Sequence, residues 1–368
     1  MTNEAPEMHL PQATSQIYGH EAAEATFLDA FSNDRLHHAW LISGPKGVGK
    51  ATLAWKFAKF LLTQDGEPDP GLFGEPEPVS NETLDCDPDN TEIQRIIAGG
   101  HGGLLVVERS LNEKTGKIRA DIVVQDIRRI IRFFTQTSAE GGWRIAIVDA
   151  ADEMNVNAAN ALLKVLEEPP EKSILLLVAH APGRLLPTIR SRCRSLKLNT
   201  LPEESVQAVI AARFPELNNE ELLALARLSE GAPGRAIQLA MLDGVGLYRQ
   251  MGNLIADLPR LNVPAAHQLA VQLAAAKEDA RYRLFIQIFT GWLERLIRQS
   301  ATQNAVDDIL QGESAQIARI SALAGVDRWI QLWEKVGQLL MRADAVNLDK
   351  KQVILSLLTS LAAVARGQ

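Results

Sequence analysis

Seven residues, Gly44-Pro45-Lys46-Gly47-Val48-Gly49-Lys50, restrict what this chain can fold into more than any other stretch. They follow an apolar run from His38 to Ser43 that reads as a buried strand. They precede Ala51 to Leu62, where Leu53, Phe57, Phe60 and Leu61 share one face of a helix. Strand, glycine-rich loop and helix together form the context of a phosphate-binding loop. The glycines let backbone N–H groups converge on phosphate oxygens, and the helix N-terminus adds partial positive charge. Lys50 is placed to reach the outer phosphates. Gly44, Gly47, Gly49 and Lys50, with Thr52 in the first turn of the helix, are therefore candidate nucleotide ligands, and the cofactor they imply is ATP or ADP, weakly held.

The positions around this loop lack the groups that hydrolysis needs. A working loop of this type ends in Ser or Thr, whose hydroxyl ligates Mg²⁺, but here that position holds Ala51. Thr52 carries a hydroxyl one residue on, rotated about 100° around the helix, and does not replace it directly. Trp143 to Asp149 reads as a second buried strand ending in an acid. In working ATPases of this class a water-orienting Glu follows that acid, and here Ala150 follows it. Asp152 and Glu153 come too late in the turn to substitute without being re-aimed.

Further strands are expected over Leu104–Glu108, Ile174–Ala179 and Ser195–Leu198, and helices over Ile122–Thr135 and Val156–Glu168. Near-continuous apolar strands alternating with helices imply an α/β module with a parallel sheet covered on both faces. Residues 63–90 are acidic and rich in Pro and Gly and read as an exposed insertion. Leu198 to Pro202 reads as a hinge, beyond which strand signals stop and the chain becomes helical. Leu284, Ile288, Trp292 and Leu296 form one apolar stripe, Trp329, Trp333, Val336 and Leu340 a second, and Ile354, Leu357, Leu358 and Leu361 a third. Each reads as helical core, and the run of such helices as a separate bundle able to serve in oligomerisation.

Composition narrows the setting. A net charge of −7 argues against a polyanion binder acting alone. Cys86 and Cys193 are the only cysteines, too few for a disulfide framework or a thiolate zinc site. The acidic, polar N-terminal residues lack the pattern of a signal peptide, and no apolar run has spanning length, so a cytoplasmic protein is expected.

Two phrases allow a more specific comparison. Asn160-Ala-Leu-Leu-Lys-Val-Leu-Glu-Glu-Pro-Pro170 and Leu185-Leu-Pro-Thr-Ile-Arg-Ser-Arg-Cys193 closely resemble motifs of the bacterial clamp-loader family of AAA+ proteins. Asp149-Ala-Ala151, Thr137 to Trp143 and Asn347 to Gln352 resemble its stator-type subunit. The resemblance implies a P-loop module over 1–200, a helical lid over 201–250 and a helical collar over 251–368. It implies that Arg192 is an arginine finger acting on a neighbour's ATP, and that Arg235 is the lid residue that reaches toward nucleotide. It implies partners: gamma/tau and delta subunits in a five-membered ring of the DNA polymerase III holoenzyme, with the sliding clamp and primer-template DNA reached through that ring. At the end of the Ile174 strand, where related ATPases carry Thr or Asn, Ala179 stands, and His180 after it reads as a loop residue. The zinc module of many relatives is not expected, because the acidic insertion takes its place. A subunit without ATPase activity of its own is thus the expected function, the alternative being an active gamma/tau-type ATPase.

Overall fold

Strands whose residues are apolar on both faces stay soluble only inside a sheet covered on both sides, and here such strands form the middle of a five-stranded parallel sheet, with the more polar β5 (Arg194–Lys197) at one edge. In the computed structural model, residues 11–14, 16–64, 83–112, 116, 118–135, 142–275 and 279–368 are described. Most of the 63–90 insertion and of the Thr137 to Trp143 motif lies outside the described residues. The chain divides into two compact units, Met1–Ser205 and Val206–Gln368.

The first unit runs α1 (Glu21–Ser32), β1 (Ala39–Ser43), α2 (Lys50–Thr63), α3 (Thr91–Ile97), β2 (Leu104–Val107), α4 (Val124–Thr135), β3 (Arg144–Asp149), α5 (Val156–Glu167), β4 (Ser173–Ala179), α6 (Pro187–Arg190) and β5 (Arg194–Lys197). The strand order is β2-β3-β4-β1-β5. The two-residue period of a strand sorts the core into two layers. Trp40, Ile42, Ile145, Ile147, Leu176 and Val178 pack against Phe27 of α1 and Leu53, Phe57 and Leu61 of α2. Ala39, Leu41, Ala146, Val148, Leu175 and Leu177 face the opposite way, onto Ile127 and Ile130 of α4 and Leu162 and Val165 of α5. Phe27 and Phe57 stack with ring centroids 3.8 Å apart. This double cover fixes the C-terminal ends of β1, β3 and β4 side by side. The pairs Ser43–Ala179 and Asp149–Val178 are in register there.

After α7 (Glu203–Arg213) the described residues are helical: α8 (Asn219–Leu228), α9 (Pro233–Met241), α10 (Gly244–Ile255), α11 (Val263–Ala274), α12 (Ala280–Thr302), α13 (Glu313–Ser321), α14 (Val326–Val346) and α15 (Lys350–Ala365). The Asn347 to Gln352 motif has a local cause. Asn347 adopts the left-handed conformation (φ 50°) that ends α14, and the Asp349 carboxylate accepts the Gln352 N–H to start α15. Two of the three predicted stripes are buried throughout, on α12 and on α15. The stripe on α14 needs correction, because Trp333 is 45% exposed. The buried row there is Trp329, Leu332, Val336 and Ala343, which follows a three-then-four spacing. No helix among the described residues is long and apolar enough to cross a membrane.

Candidate functional site

The loop between β1 and α2 is held open by its glycines. Gly44, Gly47 and Gly49 have φ of 150°, 81° and 106°, conformations that L-residues rarely adopt. A Cβ on Gly44 would lie 2.4 Å from the Leu198 carbonyl oxygen. The close approach is fixed by the Leu198 N–H, which donates to the Ser43 carbonyl at 2.7 Å. From the other side His20, at the start of α1 and 6% exposed, meets the Val48 carbonyl through Nε2 at 2.7 Å. His20 braces the loop, and sequence reading missed it because the contact spans 28 residues.

Lys50 is buried in the first turn of α2, and its ammonium donates to the carbonyls of Gly44 (2.8 Å) and Pro45 (2.6 Å). An ammonium has three N–H donors, so one remains for a phosphate oxygen. Burial lowers its pKa to about 8, against the pull of Asp149 and Asp152. Asp149, at the end of β3, is pushed up to about 6, first by burial and then by Glu108, with Lys50 opposing. The positive-φ glycines, the helix N-terminus and the spare lysine donor fit a nucleotide's phosphates. They do not supply a metal ligand at position 51, where Ala51 offers a methyl group, and Thr52 stands half-buried one residue on.

Ala150, just after β3, and Ala179, the last residue of β4, are both buried. The acids that follow Ala150 are engaged elsewhere. Asp152 accepts the N–H groups of His180 (2.9 Å) and Ala181 (2.8 Å), one on each carboxylate oxygen. Glu153 pairs with Arg109 at 2.8 Å. Burial, followed by the charges of Lys50 and Lys46, lowers the pKa of the His180 ring against the opposing pull of Asp152 and Glu153. The ring's Nδ1 is buried without a hydrogen-bond partner among the described residues.

Arg192 follows α6, and its partners are not residues of the loop. Its guanidinium donates to the Thr188 carbonyl at 3.1 Å and pairs with Glu167, the last residue of α5, at 3.0 Å. The side chain is 38% exposed. Cys193 next to it packs against the core, and burial pushes its thiol up to about 12, which marks it as filler rather than nucleophile. Arg235 belongs to the second unit, in the first turn of α9, where it pairs with Glu230 at 3.4 Å. Cys86 is half-buried and lies near the Thr63 hydroxyl and the Leu84 carbonyl.

A parallel sheet whose strand β1 feeds a glycine loop and helix, followed by an all-helical unit, defines the class: an AAA+ P-loop protein. Residues 19–202 match the family model described as "DNA polymerase III, delta subunit". The chain is 34% identical over 269 residues to the DNA polymerase III subunit delta' of Pseudomonas aeruginosa, covering 73% of this chain and 74% of that one. It is 31% identical over 220 residues to subunit delta' of Bacillus subtilis, covering 56% and 59% respectively. Among solved structures, a gamma-subunit-related protein of Thermotoga maritima aligns over 92% of this chain and 100% of its own, at 18% identity and a TM-score of 0.39. The chain belongs to the DNA polymerase III delta-prime family of clamp-loader subunits.

Proposed function

We propose that the chain is the non-hydrolysing stator of the DNA polymerase III clamp loader. It joins gamma/tau and delta subunits in a cytoplasmic hetero-pentameric ring and presents Arg192 to a neighbour's ATP. The ring in turn loads the sliding clamp onto primed DNA. The observation that carries this reading is the alanine at each of positions 51, 150 and 179, with the nearby acids Asp152 and Glu153 engaged on backbone N–H groups and Arg109. Phosphoryl transfer relies on a metal, an aligned water and charge neutralisation, and this constellation supplies only a phosphate cradle.

The pair holding Arg192 supports the finger role. Half-exposed ion pairs contribute little, on the order of 0–1 kcal/mol, so the guanidinium can exchange Glu167 for a phosphate oxygen. We assign residues 201–250 to a lid carrying Arg235 and 251–368 to a collar. Ile330, Trp333 and Met341 on α14 are exposed apolar side chains, the kind of surface a collar buries against another subunit. An active gamma/tau-type ATPase is the second reading, favoured by Lys50 lying within electrostatic reach of Asp149.

Asp149→Asn separates the two. It removes the charge at the metal-side position while keeping the shape, so a loader reconstituted with it will load clamps at the wild-type rate under the stator reading. Loss of loading, with assembly intact, supports the active ATPase instead.

A further inference from the structure

We infer that a cleft in the second unit, walled by α8, α10, α12 and α13, binds a free α-amino acid with an apolar side chain. Every residue lining it lies within Val206–Gln368. The inference therefore stands apart from the phosphate loop and from the role proposed above.

The cleft has a volume of about 230 Å³. Sites for drug-sized molecules run from about 300 to 1,000 Å³, so this one takes a small metabolite. Buried side chains of Tyr248, Met251 and Trp292 give it an apolar floor. Glu313 also lines it, but its carboxylate already accepts from the Tyr248 hydroxyl, the Ile309 N–H and Arg295. That charge is balanced within the protein. The charges left for a ligand are Glu220 of α8 and Arg249 of α10, both exposed at the rim. Neither has an ion-pair or hydrogen-bond partner among the described residues, although they line one cleft and carry opposite charge. A zwitterion answers both. Its carboxylate meets the guanidinium, its ammonium meets Glu220, and an apolar body covers the floor.

Gly252 is the second observation. It stands inside α10 and lines the cleft. Glycine within a helix costs stability relative to alanine, and close packing or a positive φ is the usual reason to keep it. Neither applies here. A Cβ on Gly252 would meet no atom within 4 Å, and its φ is not positive. What the missing side chain leaves is the space of the cleft. The Gly252 carbonyl accepts the Gln316 side-chain N–H at 3.0 Å, which ties α13 to α10 beside that space and keeps it formed without a ligand.

The test is ligand-detected NMR and calorimetric titration of the full chain with L-leucine, L-methionine and L-phenylalanine. At least one will bind with a Kd of about 1 mM, modest because solvent screens the rim charges. The methyl ester of that amino acid lacks the carboxylate charge, and its N-acetyl form lacks the ammonium. Each will bind about tenfold more weakly than the free amino acid. Arg249→Gln will lose the same factor for the free amino acid and nothing for the ester. Glu220→Gln will lose it for the free amino acid and nothing for the N-acetyl form. Gly252→Leu will fill the cleft and abolish binding, yet raise the thermal midpoint of the unliganded chain, because leucine is the better helix former. Silence from all three amino acids at roughly tenfold the expected Kd overturns the inference. So does equal binding of the ester and N-acetyl forms, or undiminished binding by Gly252→Leu.

Discussion

Arg295→Leu will destabilise the second unit by about 3–5 kcal/mol, the cost of leaving a buried charge without its partner. The charge is Glu313, at the start of α13 and only 6% exposed. Its carboxylate accepts from the Tyr248 hydroxyl of α10, from the Ile309 N–H at 3.0 Å and from Arg295 of α12 at 3.2 Å. Three segments of the helical unit are thus tied to one anion. Arg295 also donates to the Asp307 carbonyl at 2.6 Å, so its loss frees the turn before α13 as well. Scanning calorimetry of the full chain will show a transition lowered on the order of 10 °C. Arg295→Leu combined with Glu313→Leu will recover part of that loss, since the stranded charge is gone. A shift of a degree or two in Arg295→Leu means that the pair is not buried as the structure has it.

Arg192→Ala will leave fold and assembly intact and lower the ATP turnover of the whole ring. An arginine finger is worth about 1,000-fold or more at the site it serves, because it neutralises charge that develops only in the transition state. The loss expected for the ring is partial, limited to the one neighbouring site that this subunit is proposed to complete. Arg192→Lys will rescue poorly, since a point charge lacks the planar fork that spans two phosphate oxygens. Steady-state turnover of reconstituted loaders is the check, with gel filtration to show that assembly is unchanged. Equal turnover in Arg192→Ala and wild type makes Arg192 only a surface partner of Glu167.

The first unit was legible for a physical reason. Parallel strands buried on both faces appear as unbroken apolar runs, and the glycine loop has few other uses, so β1 to β4 and the cradle could be placed from the residues alone. The helical unit was less legible. On α14 the rows Trp329-Trp333-Val336-Leu340 and Trp329-Leu332-Val336-Ala343 both have helical spacing. Which one is buried depends on where α12 and α15 lie, which no local pattern encodes. Within the site, residue types were readable but partners were not. The brace from His20, the clamp of Asp152 on His180 and the pairing of Arg192 with Glu167 all join residues at least 25 positions apart. Such contacts follow from sheet order and helix placement, which only the folded chain supplies.

Completing a neighbour's catalytic site without being one is the role we propose for this subunit. It is tested most directly by measuring ATP turnover of the purified chain alone and after mixing with gamma/tau and delta. Background turnover is expected from the chain alone, with an increase in the mixture's turnover that requires Arg192 but is unaffected by Asp149→Asn. Turnover by the isolated chain that disappears in Lys50→Ala would contradict it.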